Sequence, residues 1–407
     1  MTDDRIKVYG YRWVVLAVFS IINLLMQLHW INFAPITGDA AEYYGVTVLQ
    51  IGMLSIIFMF VYLVLSIPAS YVVDRFGIHI GVGIGAAITG IFGLVKGFCA
   101  EGYTMILISQ IGFSLAQPFI LNAVTAVAAR WFPIQERATA AGIAVFSQLL
   151  GITIAMALTP YLYLTYGMQG MLKIYGVATI VGAAAFLILV REKPPTSPDP
   201  EGTVERHSVL EGLKHIMTVK DMLILIVVFF FALGMFNAVT TWIEQILAPR
   251  GFTVTQAGIT GAVMLFGGIL GAVSIPALSD KKRKRKPFML YALIFTIPGL
   301  VGLTFATSFW LLLASSFVFG FFLLAAAPIG FQYSSEITFP APEATSQGLL
   351  ILAGGISGII FIYGMDMFRT KNGSMTPFML IFIGLMLVSV ALSLLLKESK
   401  MIEGRVE

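Results

Sequence analysis

Three observations predict an all-α membrane protein of twelve transmembrane helices in two pseudo-symmetric six-helix bundles. First, 58% of the 407 residues are hydrophobic and 11% are charged, whereas roughly a quarter of the residues of a soluble domain carry charge; the mean hydropathy is +0.91. Second, apolar runs near the ~20 residues that cross the hydrocarbon core recur at about 12–36, 48–71, 78–98, 103–128, 136–161, 170–190, 221–247, 255–278, 287–306, 309–332, 344–368 and 377–397. Third, the turn after the fourth run returns after the tenth: Phe132-Pro133, Glu136, Thr139 and Gly142 recur as Phe339-Pro340, Glu343, Thr345 and Gly348, with one residue fewer behind the glutamate.

The chain opens on a polar stretch, Met1 to Tyr11, followed by a run long enough to span by itself, so no cleavable leader is expected. Span 2 ends Ile67-Pro-Ala-Ser-Tyr-Val-Val-Asp74-Arg75-Phe-Gly77 and span 8 ends Ile275-Pro-Ala-Leu-Ser-Asp280. A carboxylate thus closes the same span of each half, where it can accept backbone N–H groups or pair with an Arg of a neighbouring loop. Spans 3, 5, 8 and 11 carry Gly81 and Gly85, Gly93 and Gly97, Gly142, Gly267 and Gly271, and Gly354 and Gly358. Most of these have the small-xxx-small spacing that lets helices approach in lipid, and with no strand before them they are not phosphate loops.

The one long connection, Arg191 to Lys220, starts Pro-rich and divides the chain. Residues 1–190 form the first bundle; 191–220 form a linker with a short amphipathic helix, led by a Ser208–Glu211 capping pair; 221–407 form the second bundle and a tail. The run Lys281 to Lys286, between spans 8 and 9, reads as a topology anchor on anionic lipid and not as a nucleic-acid patch. With the N-terminus inside, twenty of the 25 Lys and Arg residues fall in inner segments. The positive-inside rule then places both termini in the cytoplasm of a multi-pass plasma-membrane protein. Cys99 stands alone, which excludes an intramolecular disulfide.

Polar side chains inside the spans are patterned. Span 1 has Asn23, Gln27 and Trp30, span 4 has Gln110, Ser114 and Gln117, and span 7 has Asn237, Thr241 and Glu244. Each set is spaced i, i+4, i+7 and so occupies one helical face. Lipid cannot satisfy such groups, so the three faces are expected to line a common polar cavity. No Lys or Arg is expected at mid-membrane, Lys96 being close to the outer end of span 3, which disfavours an organic anion. Acids are also missing there, Glu244 and Asp366 lying near outer ends and Glu336 near an inner one. An uncharged, amide-rich, aromatic cavity suits a small polar neutral solute, or an organic cation held by ring faces. Trp242, near an outer end, reads as an aromatic-belt residue. No metal pair, nucleophile elbow or phosphate loop is found, so neither an enzyme nor a cofactor is expected.

Twelve helices in repeated halves, with Asp74-Arg75-Phe-Gly77 between spans 2 and 3, resemble the major facilitator superfamily. Four stretches look like its feline-leukaemia-virus-receptor branch, carriers linked to choline, ethanolamine and haem. They are Tyr11-Arg-Trp13 with His29-Trp30-Ile31 and Tyr43-Tyr-Gly-Val46; Pro68-Ala69 before Asp74; Ala116-Gln117-Pro-Phe-Ile-Leu121 before Trp131-Phe132; and Gly330-Phe331 through Glu336, Pro340, Thr345 and Gly348-Leu-Leu350. The resemblance implies that Trp30 and Gln117 contact an amine, while the branch's span 7 aromatic falls at Asn237 and its span 11 Gln at Gly355. It also implies inner-gate contacts of Asp74 with Arg130 or Arg137, and of Asp280 near Glu136.

The resulting expectation is a monomeric alternating-access carrier of a small polar organic solute, choline-like or ethanolamine-like, working by facilitated diffusion. The expected solute-binding residues are Asn23, Gln27, Trp30, Ser114, Gln117, Asn237 and Thr241; the gating residues are Asp74, Arg75, Gly77, Arg130, Glu136, Arg137, Asp280, Glu336 and Glu343. One alternative is proton-coupled symport or export of another metabolite or drug, with His29, Glu244 or Asp366 titrating. Another is a membrane receptor that moves no solute.

Overall fold

Two glycines set the number of spans. Ten helical runs among the described residues are long and apolar enough to cross a membrane. Two of these, Val48–Phe98 and Arg137–Leu189, are 51 and 53 residues long. At ~1.5 Å per residue each would reach about 75 Å, more than twice the ~30 Å hydrocarbon core. Each turns back once, at Gly77 (φ 94°, ψ 173°) and at Gly167 (φ 69°, ψ 178°). Both conformations belong to the region that only glycine enters readily, so each run is two spans and the total is twelve. The computed structural model describes residues 9–133, 136–196, 209–341 and 343–399, leaving aside the side chains of 138, 209–212, 343 and 344. The Ser208–Glu211 capping pair and the Glu343 gating residue therefore lie outside what is described.

The remaining spans are single helices. Span 1 is Arg12–Ile31, span 4 is Tyr103–Leu121, and span 7 is Lys220–Thr241. Spans 8 to 12 are Val254–Lys282, Lys286–Phe305, Phe309–Ile337, Glu343–Met367 and Thr376–Leu395. A short linker helix runs Val209–Ile216. Span 4 lapses at Asn122 before resuming as Val124–Trp131. At that break the Asn122 amide accepts from Tyr62 Oη (2.7 Å) and donates to Ser66 O, Ser66 Oγ and Ser70 Oγ (2.9–3.1 Å), bonding span 4 to span 2.

The described residues pack as two units, one comprising 9–33 and 39–196, the other 34–38 and 209–399. In the first, span 1 packs on the helical run of spans 5 and 6, and the run of spans 2 and 3 packs on span 4. In the second, span 10 lies against spans 8 and 9, and span 7 against span 11. Spans 8 and 10 meet backbone to backbone: a Cβ built on Gly271 would sit 1.8 Å from Phe321 O, and one on Gly320 1.8 Å from Met264 O. Gly142 departs from the packing role expected of it, since a methyl group added there would meet nothing within 4 Å.

Gly77 and Gly167 differ in one respect that makes a prediction. A methyl at 77 would fall 2.2 Å from Glu192 Oε1, whereas one at 167 meets nothing within 4 Å. Alanine at either site carries a backbone penalty of about 1–3 kcal/mol. Gly77→Ala is therefore expected to lower the melting temperature in detergent more than Gly167→Ala; equal losses would show that Glu192 moves aside freely.

Candidate functional site

In the first unit, two members of the span 1 stripe are hydrogen-bonded and the one between them keeps an unpartnered oxygen. Asn23 is fully buried, donating through Nδ2 to Phe19 O (3.1 Å) and accepting through Oδ1 from Gln148 Nε2 (3.2 Å). The Trp30 indole N–H donates to Ser55 O, and Ser55 Oγ donates back to Trp30 O, both at 3.3 Å. That reciprocal pair locks the ring against span 2. Gln27 and Gln117, each 7% exposed, are different: the side-chain carbonyl oxygen of each is buried without a hydrogen-bond partner. Ser114 is spent locally on Ile111 O (2.7 Å).

Lys96 adds to the sequence reading. It lies near the end of span 3, as expected, yet it is fully buried inside the unit. Its ammonium donates to Gln110 Oε1 (2.8 Å) and Asn32 Oδ1 (3.2 Å) and lies 4.9 Å and 5.5 Å from the ring centroids of Phe33 and Phe113. Gln110, placed by spacing on the polar stripe of span 4, is thereby committed to Lys96 and, through Nε2, to His29 O (2.9 Å). His29 stacks on Phe113 at 4.1 Å and bonds Thr179 Oγ1 at 2.7 Å. The Thr179 hydroxyl proton goes to Tyr175 O, so Thr179 accepts and His29 Nε2 is the donor. These bonds make His29 an internal strut of the first unit.

In the second unit, Asn237 is half-buried and donates to Gly354 O (3.3 Å). Thr240 and Thr241 are buried with hydroxyl oxygens that have no partner. Trp242 is not an aromatic-belt residue: it is completely buried, its N–H on Ile362 O (2.9 Å). Glu244, 7% exposed, accepts from Gly38 N–H (3.0 Å) and from the amide of Gln245, which also bonds Arg369. Asp366 is half-buried.

Charged groups at the linker-side ends form a matched network in each unit, and sequence reasoning missed the terminal acid of each and the role of Arg285 in the second. Behind span 6, Glu192 accepts from His79 N–H (2.8 Å), at the start of span 3, and pairs with Arg130 at the end of span 4. Behind span 12, Glu398 accepts from Arg285 N–H (2.7 Å) and Lys286 N–H (3.2 Å), at the start of span 9. Each carboxylate thus sits where a helix N-terminus favours negative charge. Arg130 is paired with Glu192 and not with Asp74, the partner that the resemblance implies. Asp280 pairs with Arg285, which also holds Glu336 (3.0 Å), and Glu136 pairs with Arg12 (3.0 Å). Arg137 donates to Phe132 O and Ala129 O, and Arg75 bonds the Tyr71 hydroxyl. The signal for the missed acids is present: Val190-Arg-Glu192 and Leu396-Lys-Glu398 repeat the same apolar-basic-acid triplet after corresponding spans.

A family model described as Major Facilitator Superfamily matches residues 19–362. The chain belongs to the major facilitator superfamily. Two relatives of this superfamily member are solute carrier family 49 member A3 of Danio rerio, 28% identical over 388 residues (91% of this chain, 81% of the relative), and the choline/ethanolamine transporter FLVCR2 of Homo sapiens, 28% identical over 394 residues (91% and 75%). A bacterial homolog of the human lysosomal transporter Spinster, solved inward-facing and unoccupied, shares the fold with a TM-score of 0.78 at 16% identity, covering 98% of this chain and 99% of its own. As a major facilitator, the protein is a multi-pass membrane transporter and not an enzyme.

Proposed function

We propose that this transporter carries a small organic cation of the choline or ethanolamine type, by alternating access and without obligatory ion coupling. The observation that carries the reading is the pair of unpartnered amide oxygens on Gln27 and Gln117. A buried acceptor without a donor is costly, on the order of 1–3 kcal/mol, unless a ligand supplies the donor. Two such oxygens, one of them on the same face of span 1 as the locked indole, suit a solute that brings positive charge and an N–H or O–H group. The ring face of Trp30 adds ~0.5–2 kcal/mol for a cation. The relative FLVCR2 is named for choline and ethanolamine, which supports the same solute class. Asn23, Ser114, Asn237 and Thr241 remain candidates, although Asn23 and Ser114 already spend their polar atoms within the first unit. Asp74, Arg75, Gly77, Arg130, Glu136, Arg137, Asp280 and Glu336 are proposed as gating groups, on the inner side if both termini are cytoplasmic. A monomer in the plasma membrane is part of the same proposal.

The test is uptake of labelled choline and ethanolamine into proteoliposomes, with and without a pH gradient. Saturable flux that needs no gradient, and that falls at least tenfold in Trp30→Ala and in Gln117→Ala, is the expected result. Absence of flux for both amines would overturn the solute class. Flux only under a proton gradient would overturn the uncoupled mechanism and turn attention to His29, Glu244 and Asp366.

A further inference from the structure

The loop between spans 8 and 9 carries six consecutive cations, Lys281 to Lys286, and the structure sorts them into two sets. Arg285 folds inward onto Asp280 and Glu336, and the Lys286 ammonium donates to Leu394 O (2.8 Å). Lys281, Lys282, Arg283 and Lys284 are exposed, and no carboxylate among the described residues pairs with them. The loop that presents them is held by its own hydrogen bonds. Lys284 N–H bonds Ser279 O (3.1 Å), Arg283 N–H bonds Asp280 O (3.1 Å), and Ser279 Oγ donates to Lys284 O (2.6 Å). The backbone N–H groups of Arg285 and Lys286 are held by Glu398.

Arg283 is the informative position. It closes span 8 in the left-handed conformation (φ 49°, ψ 49°) and is the one non-glycine residue with positive φ among those described. Glycine is the usual occupant of such a helix end, so the chain keeps a cation where a residue without a side chain would be easier. The flanking spans complete the picture. Val273 and Leu278 on span 8, and Tyr291 and Phe295 on span 9, are exposed apolar side chains, of the kind that acyl chains can cover. A hydrogen-bonded loop of four exposed cations at the foot of two helices with exposed apolar side chains is complementary to an amphiphile with an anionic head.

We propose that this loop is a binding site for an anionic phospholipid, whose phosphate headgroup is held by Lys281, Lys282, Arg283 and Lys284. Clusters of this size at a membrane surface contribute per cation, so neutralising one residue is expected to weaken lipid retention about five-fold. The proposal goes beyond a topology signal, because a signal read during insertion would leave no lipid preference in the folded protein.

The experiment compares melting in nanodiscs of pure phosphatidylcholine with nanodiscs containing phosphatidylglycerol, and counts retained lipids by native mass spectrometry. Wild type should melt higher in the anionic discs, retain phosphatidylglycerol, and lose both effects as salt is raised. Lys281→Gln/Lys282→Gln/Lys284→Gln should melt alike in both discs and retain no excess phosphatidylglycerol. Arg283→Gly should melt higher than wild type in neutral discs, because it relieves the left-handed backbone, yet show a smaller anionic shift. Inorganic phosphate added to detergent-solubilised protein separates a lipid site from a free-anion site: stabilisation by phosphate equal to that by lipid would overturn the lipid assignment. An undiminished anionic shift in the triple variant, or no shift in wild type, would overturn the site itself.

Discussion

Lys96→Ala is expected to unfold the first unit at a markedly lower temperature, and Lys96→Met to cost less by the cavity that alanine leaves. The lysine is fully buried, its stem is packed, and its ammonium supplies the donors for Gln110 Oε1 and Asn32 Oδ1. Alanine removes the stem, and truncations of that size in a core cost about 2–5 kcal/mol. It also leaves two amide oxygens without donors, about 1–3 kcal/mol each at most. Methionine leaves the same two oxygens without donors, but it keeps most of the volume and so avoids the cavity, and it removes a buried cation that has no carboxylate partner among the described residues. The expected order of melting temperatures in detergent is wild type, then methionine, then alanine well below. Gln110 also holds His29 O, so the alanine variant should bind solute more weakly as span 1 loosens near Trp30. An alanine variant as stable as wild type would show that Lys96 is not packed inside the unit.

The twelve spans are legible in the sequence because each must satisfy its backbone within lipid, which leaves long apolar runs that no loop can imitate. The sequence also separates the two halves at the linker and marks Gly77 as part of a turn. Depth and facing are harder to read. Counting residues puts Lys96 near the end of span 3, which is correct, but its burial follows from facing: it shares a face with Thr89 and Gly93, both buried. Trp242 follows the same pattern, its depth suggesting a belt residue while its facing places it in the core. For the solute stripes, spacing identifies the faces but cannot say which amides are already committed. Gln110 serves Lys96, whereas Gln27 and Gln117 keep an oxygen free. The terminal acids Glu192 and Glu398 escape notice because their partners lie 62 to 113 residues away in sequence, a distance at which charge pattern says nothing about pairing.

The two linker-side networks look alike in connectivity but should differ in strength, and replacing their arginines is expected to show it. Arg285 and Glu336 each leave 8% of the side chain exposed, with Asp280 at 64%. Arg130 and Glu192 leave 27% and 38%. Arg285→Met would leave the largely buried Glu336 carboxylate without its cation and with the Gln332 amide as its remaining donor, and breaking a buried pair in this way costs up to about 3–5 kcal/mol. Arg130→Met leaves Glu192 able to take water and still bonded to His79 N–H, so the loss should stay within the ~0–1 kcal/mol typical of exposed pairs. Melting in detergent should therefore fall steeply for the first variant and slightly for the second. Glu336→Gln placed on top of Arg285→Met should recover much of the loss, since it removes the stranded charge while retaining a polar amide; residues in direct contact are where such non-additivity is expected. Equal sensitivity of the two arginines would mean that burial does not set the strength of these pairs, and failure of the double variant to recover would mean that Arg285 acts through Asp280 or through its packing instead of through Glu336.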